Sequence, residues 1–474
     1  MRILWLHQFF ATPRGWGAVR TYEFARRFVR AGHAVDVVCC AGYDHTLKHT
    51  GREPLVVDGV RIFVSGTAYS SHMGFSRRVM SFLRFMADTL WFVLRNGKQY
   101  DLCIASSGPL TMAVPALIGR WLWRVPFIFE VIDVWPDSAI ASGVLKNPVL
   151  KWLSFRLEAL AYRHAAAIVT CSDGMTKRVE GKLGEKGEGE KTVVTISNCC
   201  DLETCAPDEK VRRAVRLKYG VREDQMVVLY SGAMGRSNAM EDVAEAVAGT
   251  ATDERIVWWF AGDGPYCGHP VVAMGRVKGN GGHPVVAIGR VKGNDGHPVV
   301  AMGRVKAGGG QALNAHGTCD GETCGEYPAA QGFNLTFVPT EWSQKVRWFG
   351  RMAKEEVVSL VRAADVNVVT FRHEPLFHEN SPNKFFDGIA AGLPAVFNRS
   401  TWLEPWLREY DCGIVCKGER PGEEMAEALR DLADDPERRQ RMGAGARRLA
   451  EEVFDRDRLA EVYLGVIATV GLRS

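Results

Sequence analysis

No stretch of 18 or more apolar residues occurs in the 474-residue chain, so no bilayer-spanning helix is expected. The start, MRILWLHQFF, enters an apolar run with no charged region ahead of it and no small-residue cleavage site behind, which argues against a secretory leader. Among 12 cysteines there is no Cys-x-x-Cys. Cys39 and Cys40, like Cys199 and Cys200, are adjacent, and the Cys319/Cys324 and Cys412/Cys416 pairs lack partners at zinc spacing. Reduced thiols and a cytoplasmic location are the expectation. Gly15 and Gly17 are not followed by a third glycine at dinucleotide spacing, so the first loop is no dinucleotide fingerprint.

What is present describes a globular chain of two domains: 46% hydrophobic and 24% charged residues over a length too great for one core. The net charge of +4 hides an asymmetry. Residues 1–180 carry 22 Lys/Arg against 13 Asp/Glu, and the remainder 37 against 42. A basic first part suits an anionic membrane, a phosphorylated substrate or nucleic acid. The basic residues are mixed with apolar ones in helices and form no recognisable nucleic-acid module, which disfavours the last.

Residues 2–10 read as a buried parallel strand, followed by the loop ATPRGWGAVR, the helix TYEFARRFVRAG and the strand HAVDVVCC, a βαβ opening. Gly15 and Gly17 would let a ligand approach the backbone, or simply make a tight turn. His7 ends the first strand, where α/β sheets place ligand-facing residues, although a structural histidine is the commoner case. A long helix follows over YSSHMGFSRRVMSFLRFMADTLWFVLRNGK, with Phe75, Val79, Phe82, Leu83, Met86, Leu90 and Val93 at helical spacing and Arg77, Arg78, Arg84, Arg95 and Lys98 interspersed. It is read either as core packing or as an amphipathic membrane contact, and Trp121, Trp123 and Arg124 favour the second. Asp133 and Asp137, in DVWPDS just past a strand's carboxyl end, are candidate acceptor-side residues.

The exit from the first domain is expected at VVTISNCCD, and a second α/β series begins with MVVLYSG. Arg236 follows that strand where a phosphate would lie. Gly262 and Gly264 form another strand-end turn. From Gly268, Gly282 and Gly296 three near-identical 14-residue copies begin, which read as a tandem duplication in a surface loop. The segment from about 267 to 332 is expected to be a flexible insertion. His269, His283 and His297 repeat because the unit does, without implying a metal.

Chemistry is densest in HENSPNKFFDGIAAGLPAV, residues 378–396, read as a loop, a short helix and a turn into a strand. Ser381, Asn383 and Lys384 at a helix start make a phosphate cradle. Glu379 and Asp387 bracket it. The alternative reading of the two acids is a cap plus a solvated face.

This segment resembles the donor-site signature of family 4 retaining glycosyltransferases, a glutamate, seven residues and a second glutamate before a small-residue turn. Here the second acid is Asp387. The opening loop and helix, Asn198 and Asp201 at the domain exit, and the Gly262 turn are similar to the same family in the same order. DVWPDS and the YSSHMGFSRRVMSFLRF helix look like the subgroup of bacterial L-fucosamine transferases of surface-polysaccharide assembly, of the colanic-acid and O-antigen type.

The resemblance implies an α/β fold of the GT-B type, two doubly wound Rossmann-like domains facing a cleft. Residues 1–203 would be the acceptor-binding domain and 204–455 the nucleotide-sugar domain, with 456–474 a terminal helix crossing back. It implies a retaining transferase using a nucleotide-diphosphate sugar, UDP foremost and an N-acetylated deoxy sugar among the donors, with no metal and no further cofactor. The acceptor would be a lipid-linked or growing cell-surface polysaccharide, with peripheral contact at the inner membrane face through residues 75–98. In the implied site Lys384 and Arg236 stabilise the leaving diphosphate, Glu379 lies near the sugar, Asp133 serves catalysis from the acceptor side, and Asp387 holds the ribose. Ser381, Asn383, Gly262, Gly264, Gly15 and Gly17 complete the donor cradle. A sugar-nucleotide epimerase or hydrolase of the same fold, and an inactive scaffold subunit, are the rival readings.

Overall fold

The computed structural model describes residues 1–51, 53–70, 73–141, 143–184, 191–264, 273–274, 284–288, 300–304 and 345–472. Its first sheet contains β1 (Arg2–Leu6), β2 (Ala34–Cys40), β3 (Leu55–Val57), β4 (Val60–Ser65), β5 (Leu102–Ser106), β6 (Phe127–Val131), β7 (Ala167–Thr170) and β8 (Val193–Thr195). Their spatial order is β3-β4-β2-β1-β5-β6-β7-β8, parallel throughout except for the β3–β4 pair. The near-continuous apolar character of β1 follows from helices covering both faces. Ile3 and Trp5 point into one core with Phe24 and Phe28 of helix Arg20–Arg30, while Leu4 and Leu6 point into the other.

That second core is closed by helices Phe75–Asn96, Ala113–Trp123, Pro148–His164 and Asp173–Gly184. In the first of these the buried residues, among those described, are Ser81, Phe85, Thr89 and Val93, and Leu83 is exposed. The seam facing the core is therefore narrower than the sequence spacing suggests.

The second sheet contains β9 (Met226–Ser231) and β10 (Ile256–Ala261). The 14-residue copies then contribute one strand each, β11 (Ala273–Met274), β12 (Pro284–Ile288) and β13 (Val300–Arg304). These pair antiparallel, Pro284 opposite Arg304 and Ile288 opposite Val300. In the second copy Val285, Val286 and Ile288 take up the strand conformation their β-branched side chains favour. The rest of residues 267–332, expected to be a flexible insertion, lies outside the described residues. The sheet resumes with β14 (Val346–Gly350), β15 (Val366–Val369), β16 (Ala395–Phe397) and β17 (Gly413–Val415), in the parallel order β14-β10-β9-β15-β16-β17.

The C-terminal helix Arg456–Leu472 packs on the first domain, where Tyr463 meets Trp5 and Phe28 edge-on. Buried Arg456 begins it, donating to the Cys199 carbonyl at 2.9 Å and to Asp201 at 3.2 Å. Arg20, also buried, pairs with Glu130 at 3.0 Å and donates to the Ile196 and Ser197 carbonyls at 2.7 and 2.6 Å. Two arginines therefore fasten the segment that leaves the first domain, each compensated because an unpaired buried charge would be costly.

Candidate functional site at the domain junction

Parallel sheets bind ligands beyond the carboxyl ends of their strands, where the loops diverge. In the second domain those ends are Gly232–Gly235 after β9, Gly262–Gly264 after β10, Thr370–His373 after β15, and the start of helix Asn383–Ala390. The first two loops touch. A Cβ on Gly262 would collide with the Gly232 carbonyl oxygen, and one on Gly264 with the Met234 carbonyl. Gly262 also has φ +147, a conformation side-chain-bearing residues rarely adopt. These glycines serve loop-on-loop packing that shapes the crevice wall.

Lys384 lies under this wall. Its Nζ is sealed from solvent, has no hydrogen-bond partner among the described residues, and rests 3.6 Å from the centroid of the Tyr230 ring. Burial pushes its pKa from 10.5 down to about 7. Asn367 fixes the helix start by donating to the Lys384 carbonyl at 2.8 Å. Ser381 is tied across the junction, its hydroxyl accepting from the Asn198 N–H at 3.0 Å and its carbonyl from the Asn198 amide at 2.6 Å. Asn383 is the first residue of the helix. Arg236 opens the short turn Arg236–Asn238 after β9, and its side chain lies outside the described residues.

The two acids are both engaged. Glu379 accepts both hydrogen bonds of an Arg178 fork from the first domain, at 3.0 and 2.5 Å, and Gly174 leaves room for its stem. Asp387 is ion-paired with Lys354. Neither is a free carboxylate awaiting sugar or ribose in this conformation, because each lies within reach of a cation from an element the 378–396 segment does not contain.

Gly15 and Gly17 pack against Tyr43 and Asp44, where a Cβ would come within 2.7 to 2.8 Å of backbone or side-chain atoms. The Gly15 carbonyl accepts from the Lys354 N–H at 2.9 Å, so the first loop touches the second domain. Beside it Trp16 stacks on His45 and lies 4.9 Å beneath the guanidinium of Arg351, itself paired with Asp263.

Asp133 follows β6 on the first-domain side, its carbonyl accepting from the Ser107 hydroxyl at 2.9 Å. Burial pushes its carboxyl up to about 6. The helix Asp137–Ala141 lies against the turn Pro375–Glu379, so DVWPDS meets the second domain near Glu379. Asp137 is paired with Lys182 at 2.6 Å. His7 bonds Thr21 at 2.7 Å, and burial lowers its pKa to about 4, which keeps it neutral at physiological pH.

Sequence reasoning missed Arg178, Lys354, Asn367 and Tyr230. Only Asn367 and Tyr230 carried a signal, a polar and an aromatic residue inside otherwise aliphatic buried strands.

Residues 17–198 match the family model of a glycosyl transferase 4-like domain, and residues 315–464 that of a glycosyl transferase-like domain. The chain is 37% identical over 112 residues to a D-inositol 3-phosphate glycosyltransferase of Thermomonospora curvata, covering 23% of this chain and 25% of the relative. It is 32% identical over 105 residues to the lipopolysaccharide core biosynthesis glycosyltransferase LpsD of Rhizobium meliloti, covering 22% of this chain and 28% of that one. The aligned part is thus about a quarter of the length of these curated relatives. Among solved structures, Anabaena HepE in complex with UDP-glucose superposes with a TM-score of 0.60 over 99% of this chain and 100% of its own, at 14% identity. The architecture is the GT-B fold. The chain thus matches a glycosyl transferase 4-like model in its first part and a glycosyl transferase-like model in its second.

Proposed function

We propose that the protein transfers a sugar from a nucleoside diphosphate, UDP foremost, to a lipid-linked or growing cell-surface saccharide, with retention at the anomeric carbon. The observation that carries this is Lys384: a buried ammonium at a helix N-terminus, facing an aromatic ring and no acceptor. Burying such a charge is unfavourable unless an anion completes the site. A diphosphate supplies that anion, and the helix N–H groups add to it.

In the proposed reaction the bond between the anomeric carbon and the diphosphate oxygen breaks while the acceptor oxygen bonds to the same face. The acceptor proton leaves with the diphosphate. Charge grows on the leaving group, so Lys384, the helix N-terminus and Arg236 stabilise the transition state more than the ground state. Asp133 faces the acceptor and, with its raised pKa, passes between neutral and charged forms near pH 6. Glu379 would reach the sugar once Arg178 releases it, and Asp387 would reach the ribose from its pair with Lys354. The names of the relatives, among them one of lipopolysaccharide core biosynthesis, support a polysaccharide acceptor, and the UDP-glucose complex of HepE supports UDP. The surface-polysaccharide L-fucosamine transferase subgroup is the finer assignment.

The test is calorimetric titration of UDP, GDP and ADP into the wild type and Lys384→Ala, followed by donor turnover with and without acceptor. Micromolar binding of one nucleotide, weakened by the variant, and acceptor-dependent turnover are expected. Turnover without acceptor would make it an epimerase or hydrolase. No nucleotide binding at all would leave a scaffold.

A further inference from the structure

Thirteen large apolar side chains stand exposed on three neighbouring helices of the first domain, far more than scattered surface leucines account for. On helix Phe75–Asn96, Met80, Leu83, Trp91 and Leu94 are 64, 44, 57 and 38% exposed. At 100° per residue these four fall within one narrow stripe, and Arg77, Arg84 and Arg95 form a row directly beside it. Helix Ala113–Trp123 ends in four consecutive exposed residues, Arg120-Trp121-Leu122-Trp123, and Arg124 just past its end is exposed as well. On helix Pro148–His164, Val149, Trp152, Leu153 and Leu160 share a face with Arg156 and Arg163.

The three helices form one surface. A Cβ at Gly97 would strike Trp123, Gly119 faces Val93, and Trp121 meets His164 edge-on. Arg95 covers the Trp91 ring at 4.2 Å and Arg156 the Trp152 ring at 5.8 Å, so cation and aromatic alternate across it. The charge is of one sign. The only acids of the three helices are Asp88, which accepts from Ser65 and Thr67, and Glu158, which is buried and paired with Lys182. Asp88 is engaged by two hydroxyls and Glu158 by a lysine, so arginine outweighs carboxylate on these helices.

We infer that this three-helix face is a docking surface for a bilayer rich in anionic lipid, with the tryptophans at headgroup depth and the arginines on lipid phosphates. Interfacial tryptophan and arginine beside an apolar stripe are what such a surface requires. The face is continuous with the cleft. Phe82, on the same helix, touches Tyr69, Phe9 and Trp135, an aromatic wall that runs from the stripe to the DVWPDS segment beside Asp133. This deepens the proposed function, since an acceptor carried on a lipid would reach the cleft along that wall, but the docking itself rests only on the face.

The experiment is co-sedimentation of the full chain with vesicles of phosphatidylcholine alone and with about 30% phosphatidylglycerol, at low and high salt. The wild type is expected to pellet with anionic vesicles only, and less at high salt. A Trp91→Ser/Trp121→Ser/Trp152→Ser variant is expected to bind about tenfold more weakly, and so is Arg77→Gln/Arg84→Gln/Arg95→Gln. UDP binding by both variants, measured in parallel, reports that they are folded. Absence of vesicle binding, equal binding to neutral vesicles, or undiminished binding by the tryptophan variant each overturns the inference. So does a concentration-dependent dimer that the tryptophan variant abolishes, because a second copy would then be the occupant. A wild type that binds vesicles but no nucleotide would sink the transferase reading and leave the docking surface standing.

Discussion

Arg178 grips both oxygens of Glu379 across the domain junction, Nε to Oε2 at 3.0 Å and Nη2 to Oε1 at 2.5 Å. The pair is partly exposed, 33% and 19% by side chain, so water screens it. Its geometry is bidentate, which offsets part of that loss. In the proposed reaction Glu379 would have two competing uses, the pair that joins the domains and a place beside the sugar. Arg178→Ala and Glu379→Ala are each expected to lower kcat/KM, with the double variant little worse than the poorer single. A coupling of about 1 kcal/mol in the double-mutant cycle is the expected size. Additive losses would show that the two side chains act separately.

Lys384 makes a prediction about protons. Its folded pKa is about 7 and its unfolded value 10.5, so between those limits the unfolded chain holds one more proton than the folded one. Stability without nucleotide should then rise with pH from about 7 to 10.5 and be flat in this respect below 7. Lys384→Met should remove that rise and increase the melting temperature of the free protein. A bound diphosphate would restore the proton, so at pH 8 nucleotide binding by the wild type should take up close to one proton. Calorimetry in two buffers of different ionisation enthalpy measures this, and equal heats in both would refute the diphosphate contact.

Asp387 and Lys354 are 33 residues apart and paired in a half-closed environment, with side chains 8% and 19% exposed. Removing the carboxylate leaves an ammonium with nothing to answer it. Asp387→Ala is expected to cost about 1–3 kcal/mol in urea unfolding, and Lys354→Met/Asp387→Ala together less than the single. A double variant as unstable as the sum of both singles would mean the pair contributes only through other contacts.

Legibility in the sequence followed the range of the forces. Two α/β series, the strand at residues 2–6 and the helix at 383–390 were readable because apolar period and local turn chemistry are written in consecutive residues. Lys384 was readable as a cation at a helix start. What was not readable is which cation meets which acid: Arg178 with Glu379 and Lys354 with Asp387 join elements 201 and 33 residues apart. The exposed side of the 75–96 helix was also hidden, because Leu83 and Phe85 look alike until the sheet chooses one to bury. The copies from Gly268 onward were read for their glycines, and within them Pro284–Ile288 pairs with Val300–Arg304.

Gly262 tests whether the crevice wall is structural in the sense argued above. Its φ of +147 excludes an ordinary side chain, and its missing Cβ is what lets the loop after β10 lie on the Gly232 carbonyl. Gly232 in turn is packed beside the end of Lys384, so any displacement of one loop moves the wall against which the ammonium is held. Gly262→Ala should therefore do two things at once: destabilise the second domain by about 2–4 kcal/mol through strain and overpacking, and loosen the burial that depresses the Lys384 pKa. The second effect is the diagnostic one. In the variant the rise in stability above pH 7 should shrink and proton uptake on nucleotide binding should fall with it. A variant that is destabilised yet keeps the full proton uptake would show that Lys384 is buried by Tyr230 alone, with the glycine contact carrying no part of the site.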